Sequence, residues 1–241
     1  MKWQDKAVIL SARKFGESAL IVNVLSQNHG LYSGMARGGK SKAARGLYEP
    51  GNIVEATWNA RLEEHLGTLA AEMLEPVAAA IMHDSLKLAA LVSACHLLDN
   101  SLWEREPHPD IFASLLEFLD CIKDNDQDWR EKYVLLELQL LKRLGFGMDL
   151  GTCAATGSRD DLIYVSPKSG RAVCRDAGEK YRDKLLHLPR FVTHRDANIP
   201  PADILHGIRL TGYFLDKHIF AGDNKNMPRA RGRFVQMLQA G

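Results

Sequence analysis

The chain has no apolar run approaching the roughly 18 residues that a membrane-spanning helix requires. Its N-terminus also lacks the basic-then-apolar pattern of a secretory signal. No membrane association is expected, and the cytoplasm is the expected compartment. Cysteine is scarce, with Cys95, Cys121, Cys153 and Cys174 the only four among 241 residues. The first two fall inside helical apolar patterns, where a reduced thiol acts as a small core residue, so a disulfide framework is not expected. Catalytic signatures are missing too. The nine histidines are scattered, no Gly-x-Ser-x-Gly elbow occurs, and no carboxylate pair stands out from ordinary helix surface. Asp99, Asp120, Asp124, Asp126 and Asp128 read as solvated faces and caps rather than a metal site. The chain shows no internal repeat, low-complexity tract or flexible linker. A net charge of +1 gives no sign, on average, of a polyanion as partner.

The average conceals a gradient. Residues 81–150 hold 13 acidic against 7 basic side chains, whereas residues 151–241 hold 15 basic against 9 acidic. Local clusters matter more than the total, because salt screens each charge beyond about 10 Å. The densest cluster lies in Met35–Gly51, where Arg37, Lys40, Lys42 and Arg45 occur without an intervening acid. Alternating apolar segments flank it, so it reads as a long cationic loop between two strands, able to follow a phosphate backbone. A second basic run comprises Lys225, Arg229, Arg231 and Arg233 near the C-terminus. The alternative for either run is a solvated loop or helix face.

The first 75 residues have a period of two. Trp3–Ser11, Ala19–Ser26, Gly30–Ala36, Asn52–Asn59 and Gly67–Met73 read as five short strands. Five strands with one long loop match a small barrel of the OB-fold type, a common oligonucleotide binder; a plain five-stranded sheet is the alternative. After Pro76 the period becomes helical, over Ala78–Leu98, Ile111–Lys123 and Asp128–Gly145. Asp128 with Glu131 forms a potential capping box. A hairpin follows from Leu162–Val165 and Arg171–Cys174, joined by Ser166–Gly170. Helical patterns return at Gly178–Leu186, Pro201–Phe220 and Arg229–Gln239. The expected architecture is α+β. An N-terminal five-stranded OB-fold barrel (1–76) precedes a helical domain (77–241), which carries a degenerate zinc-ribbon-like β-hairpin insert at about 151–176.

Three motifs carry chemistry. Gly34–Ser41 formally matches the phosphate-binding pattern G-x-x-x-x-G-K-[ST], which requires a helix directly after the loop. Gly46, Pro50 and Gly51 preclude that helix, so nucleotide hydrolysis is not expected. Tyr32, Tyr48 and Trp58 lie beside the basic loop, where an exposed ring stacks on a base and a buried one belongs to the core; the alternating spacing favours burial. Cys153 and Cys174 flank the hairpin like the two knuckles of a zinc ribbon. A structural zinc needs four ligands, and the partner positions are Thr156 and Ala177, so no metal or other cofactor is expected.

Taken together, the residues resemble the RecO family of bacterial recombination mediators over nearly the whole chain. The resemblance rests on Ala36-Arg-Gly-Gly39 with Leu47-Tyr-Glu-Pro50, and on Leu144–Leu150 running into Cys153-Ala-Ala-Thr-Gly157. Tyr164–Val173 and Pro228–Phe234 complete it. It implies a non-enzymatic protein of DNA repair that binds single- and double-stranded DNA and anneals complementary strands without ATP. The implied protein partners are RecR and the acidic-hydrophobic C-terminal tail of the single-stranded-DNA-binding protein. Through them the recombinase RecA, an indirect partner, is loaded onto coated DNA, in a cytoplasmic, nucleoid-associated setting. Arg37, Lys40, Lys42 and Arg45 are then the primary DNA contacts. Arg229, Arg231 and Arg233, with Lys225, form a second patch that suits DNA or an acidic protein tail. Some members hold zinc through two cysteine pairs; this sequence retains one cysteine of each, so packing is expected to hold the insert. An adaptor with only weak, non-specific DNA binding is the alternative.

Overall fold

The computed structural model describes residues 1–39, 41, 44, 46–62, 65–124, 129–194, 200–221 and 226–240. Lys40, Lys42, Arg45, Lys225, Asp126 and the capping box at Asp128 lie outside the described residues. Five N-terminal strands, β1 (Lys2–Phe15), β2 (Ala19–Ser26), β3 (Gly30–Ala36), β4 (Ile53–Asn59) and β5 (Gly67–Glu75), close into a barrel in the order β1-β2-β3-β5-β4. This is the OB-fold expected from the alternation. β1 runs four residues beyond the expected Ser11, because it serves two neighbours. Lys2–Val8 pairs with β4, Ala7–Phe15 pairs with β2, and a register shift between Ile9 and Ser11 marks the bend.

Closure depends on two glycines. β3 and β5 run parallel and meet at Gly34↔Gly67 and Met35↔Thr68. A Cβ at Gly67 would lie 2.3 Å from the Trp58 indole, and one at Gly34 would lie 2.6 Å from the Leu69 Cβ. Trp58 is fully buried beneath this seam and donates its indole N–H to the Ser33 carbonyl at 3.0 Å. Trp3 stacks on it at 6.1 Å and Tyr32 meets it edge-on at 5.0 Å. Aliphatic side chains such as Val22, Val24, Val54 and Leu69 fill the rest of the barrel core.

The chain divides into two compact units, Met1–Gln127 with Pro228–Gly241, and Asp128–Met227. The break in periodicity at Pro76 separates strands from helices, but the packing groups several helices with the barrel. In the first unit, α1 (Val77–Ala80), α2 (Ser85–Ser101), α3 (Pro109–Lys123) and the C-terminal α8 (Arg229–Ala240) join it. The pattern starting at Ala78 is interrupted because Asp84 caps α2, accepting from the backbone N–H of Leu86 and Lys87 at 2.9 and 3.0 Å. Asp99 is not a solvated acid. Its two oxygens accept from Ser11 on β1 and Asn23 on β2, both at 2.8 Å, and so tie α2 to the barrel. Cys95 and Cys121 are buried in α2 and α3, as their periodicity implies.

In the second unit, α4 (Trp129–Leu141) packs on α7 (Pro201–Leu215), with Gly207 admitting Val134 and Phe191. Wide helical turns, Lys142–Phe146 and Asp216–Phe220, follow α4 and α7. The hairpin is β6 (Leu162–Val165) with β7 (Ala172–Cys174), and β8 (Leu186–His187) adds a third strand beside β6. The expected helix over Gly178–Leu186 is instead α5 (Arg175–Gly178) and a 3-10 turn, Glu179–Lys184, leading into that strand. Gly178 sits against the Tyr164 ring, where a Cβ would come within 2.3 Å, and the chain passes over β6 before pairing with it. The short α6 (Arg190–Thr193) precedes α7.

Candidate nucleic-acid interface

Arg37 leaves the end of β3 on the exposed side of the barrel. It borders an open groove of about 670 Å³ that crosses four strands, with Lys2 of β1, Met35 of β3, Thr57 and Asn59 of β4, and Thr68 of β5. The register explains the grouping, since Lys2 pairs with Asn59 and Asn59 with Thr68. A second opening of about 430 Å³ is lined by Ala12, Lys14, Leu20, Gly39, Tyr48 and Glu49. Tyr48 borders both and is itself buried, which raises its phenol pKa by desolvation.

The described part of the loop after Arg37 is a series of turns. Ser41 N–H donates to Gly38 O at 2.9 Å, Ala44 N–H to Ser41 O at 3.1 Å and Leu47 N–H to Ala44 O at 3.1 Å. The base of the loop is clamped by Asn52, whose amide donates to Gly46 O at 2.7 Å and accepts from Ala78 N–H at 3.1 Å. Ala44 and Leu47 pack on the barrel core. Gly34 is in a strand rather than a phosphate loop, and residues 46–50 form turns where a nucleotide-binding helix would be required. Tyr32, Tyr48 and Trp58 all belong to the barrel core, so none presents a free face for base stacking. Lys2 and Lys14 were not legible as site residues. They are isolated charges in strands; only the pairing register brings Lys2 to the groove that Arg37 borders, while Lys14 lines the second opening.

The second basic run is split by helix geometry. Arg229 and Arg233, four residues apart, are exposed on α8 and border a groove of about 560 Å³ with Ser85, Leu88, Ala89 and Val92 of α2. Arg231 faces inward and is 6% exposed, three residues from the fully buried Phe234. It therefore does not contribute to a surface patch.

A family model described as Recombination protein O N terminal matches residues 1–77, and one described as Recombination protein O C terminal matches residues 82–228. The DNA repair protein RecO of Rhodospirillum centenum is 48% identical over 237 residues, covering 98% of this chain and 94% of that protein. That of Rhodospirillum rubrum is 42% identical over 245 residues, covering 99% and 97%. The chain belongs to the RecO family. Its general role is thereby DNA repair and recombination. No helix among the described residues is long and apolar enough to cross a membrane.

The two cysteines set beside a zinc-ribbon pattern lie at the β6–β7 insert. Cys153 and Cys174 do come together there, with Cys174 N–H donating to the Cys153 sulfur at 3.3 Å. Thr156 and Ala177 stand at the remaining knuckle positions, and neither is a zinc ligand. No group of three or more His, Cys, Asp or Glu side chains converges among the described residues. Two sulfurs do not fit a four-ligand structural zinc. Tyr164 and Val173 pack with the cysteines in a small core.

Proposed function

We propose that this RecO-family chain is a non-enzymatic mediator that binds single- and double-stranded DNA across the exposed barrel face. On this reading it anneals complementary strands without ATP and, with RecR, promotes RecA loading onto DNA coated by single-stranded-DNA-binding protein. Residues 1–76 form the DNA-binding domain, acting in the cytoplasm at the nucleoid. The observation that carries the reading is the open groove bordered by Lys2 and Arg37, from whose rim the basic loop departs. Lys40, Lys42 and Arg45, which follow Arg37 in the sequence, are the further phosphate contacts on this reading. Annealing needs two polyanions neutralised and brought together, which distributed cations achieve without a catalytic group. Four phosphate contacts from the loop correspond to a salt slope of about −3 on single strands, at about −0.7 per contact.

The α2–α8 groove supports the partner side of the proposal. Its apolar floor of Leu88, Ala89 and Val92, with Arg229 and Arg233 at the edge, suits a tail that combines acidic and hydrophobic residues. It also favours the second reading, an adaptor whose barrel binds DNA weakly. The deciding experiment is annealing of complementary oligonucleotides by the purified protein, without nucleotide, near physiological salt. Acceleration over the spontaneous rate, lost in a Lys40→Ala/Lys42→Ala variant, supports the mediator. No acceleration, with tight binding of a synthetic acidic-hydrophobic tail peptide, supports the adaptor.

A further inference from the structure

The geometry points to Cys153 and Cys174 as an oxidant-responsive pair that closes into a reversible intramolecular disulfide, hydrogen peroxide being the class of reagent that forms it. Backbone hydrogen bonds hold the two residues in register. Asp149 and Arg171 form an isolated parallel bridge, Ala172 N–H donates to Asp149 O at 2.9 Å, and Ala154 N–H donates to Ala172 O at 2.7 Å. The segment carrying Cys153 is thus fastened alongside β7, which carries Cys174. A turn in which Gly157 N–H donates to Cys153 O at 2.9 Å then folds back over the sulfurs. Thr156 in that turn places its hydroxyl 3.6 Å from the Cys174 sulfur.

These contacts give the two thiols different chemistry. Cys153 is 1% exposed, and burial pushes its pKa up. The N–H of Cys174, which bonds its sulfur at 3.3 Å, with the nearby Thr156 hydroxyl and the N–H groups of Ala155 and Thr156, outweighs that effect and brings the thiol to about 6. The lowered pKa favours the thiolate of Cys153 at neutral pH. Cys174 is 8% exposed and supplies the resolving thiol. The cover is thin, since Ala154, Ala155, Thr156 and Gly157 are all exposed, so a reagent as small as peroxide has one turn to displace.

In the first step the Cys153 thiolate attacks one peroxide oxygen and the O–O bond breaks. Hydroxide leaves and is protonated to water, and Cys153 becomes a sulfenic acid. The Cys174 sulfur then attacks the Cys153 sulfur, the S–O bond breaks, and hydroxide departs with the Cys174 proton as the second water. Two thiols and one peroxide give one disulfide and two waters. Cys95 offers a contrast within the same chain. It is fully buried in α2, and burial, followed by the charge of Asp99, raises its thiol well above the ordinary range. The assignment stands independently of the DNA-binding reading.

The test uses the reduced full-length protein in the presence of a chelator. It is treated with stoichiometric hydrogen peroxide, denatured, alkylated, and analysed by intact mass and peptide mapping. The expected result is a fall from four alkylatable thiols to two, with a linked pair of peptides containing Cys153 and Cys174. A thiol reductant restores all four. The reaction rate should rise with pH to half its maximum near 6, as the Cys153 thiolate forms. In Cys174→Ser, Cys153 should stop as a sulfenic acid that a carbon nucleophile traps. Four alkylatable thiols after the peroxide is consumed would overturn the assignment. So would over-oxidation of Cys153 in the wild type while Cys174 remains free, or one stoichiometric zinc held by the pair when the chelator is omitted.

Discussion

Replacing Gly67 with alanine tests whether the barrel closes as described. The new Cβ would stand 2.3 Å from the Trp58 Cε2 and 2.4 Å from its Nε1, more than 1 Å inside ordinary contact. The indole has nowhere to go, because Trp3 stacks on it, Tyr32 abuts it, and its N–H is bonded to Ser33 O at 3.0 Å. β5 must therefore withdraw, and the two rungs that pair it with β3, at Gly34 and Met35, are the ones disturbed. Overpacking of a core costs about 1–3 kcal/mol, and loss of the indole hydrogen bond about 1 kcal/mol more, for a total of about 2–4 kcal/mol. With a urea slope of about 2 kcal/mol per molar, the midpoint should fall by about 1–2 M. Gly232→Ala is the control. It lies on the exposed side of α8 with nothing within 4 Å of its Cβ, and should hold or gain up to about 1 kcal/mol. Urea unfolding followed by tryptophan fluorescence, with DNA affinity measured alongside, reads both effects. A Gly67→Ala midpoint within about 0.3 M of wild type would refute the closure argument.

If the barrel groove holds a strand, Lys2→Ala and Arg37→Ala should each flatten the salt dependence of single-strand binding by about 0.7, and together by about 1.4. Unchanged slopes in fluorescence-anisotropy titrations would remove the groove from the site. Asp99→Ala should destabilise the first unit by about 2–3 kcal/mol, since Ser11 and Asn23 each lose a charge-assisted partner; denaturant midpoints check this. His206 has its pKa lowered by burial first and by His187, stacked at 4.4 Å, second. The unfolded chain then binds the proton more readily than the folded one. The corresponding stability is present above about 6.5, the ordinary histidine value, and is lost as pH falls below it. Thermal unfolding at pH 7.5 and 5.5 should show that loss, and His206→Gln should reduce it.

Much of the fold was legible because local pattern and tertiary demand coincide. β2 and β3 match their expected limits, and α3 and α8 agree at one end and lie within two residues at the other, since alternation or a 3.6-residue period with clear breakers leaves one solution. Agreement fails where a residue serves a distant partner. Asp99 resembles any helix-surface acid until β1 and β2 meet it. Arg231 belongs to a basic run, yet helix rotation carries it inward with Phe234 while Arg229 and Arg233 stay outside. Strand β8 was missed because two residues carry no period, and only pairing with Tyr164 and Val165 defines them.

The sequence by itself determined the barrel's five strands, the family to which the chain belongs, and the density of charge in the loop after β3. These are properties of consecutive residues, written in spacing and composition. The tertiary structure alone decided that Lys2 shares a groove with Arg37, that three aromatic rings are core, and that two cysteines 21 residues apart meet through an N–H to sulfur hydrogen bond. Such facts depend on strand register and helix rotation. Both are set by packing between segments far apart in the chain, where no local period can record them.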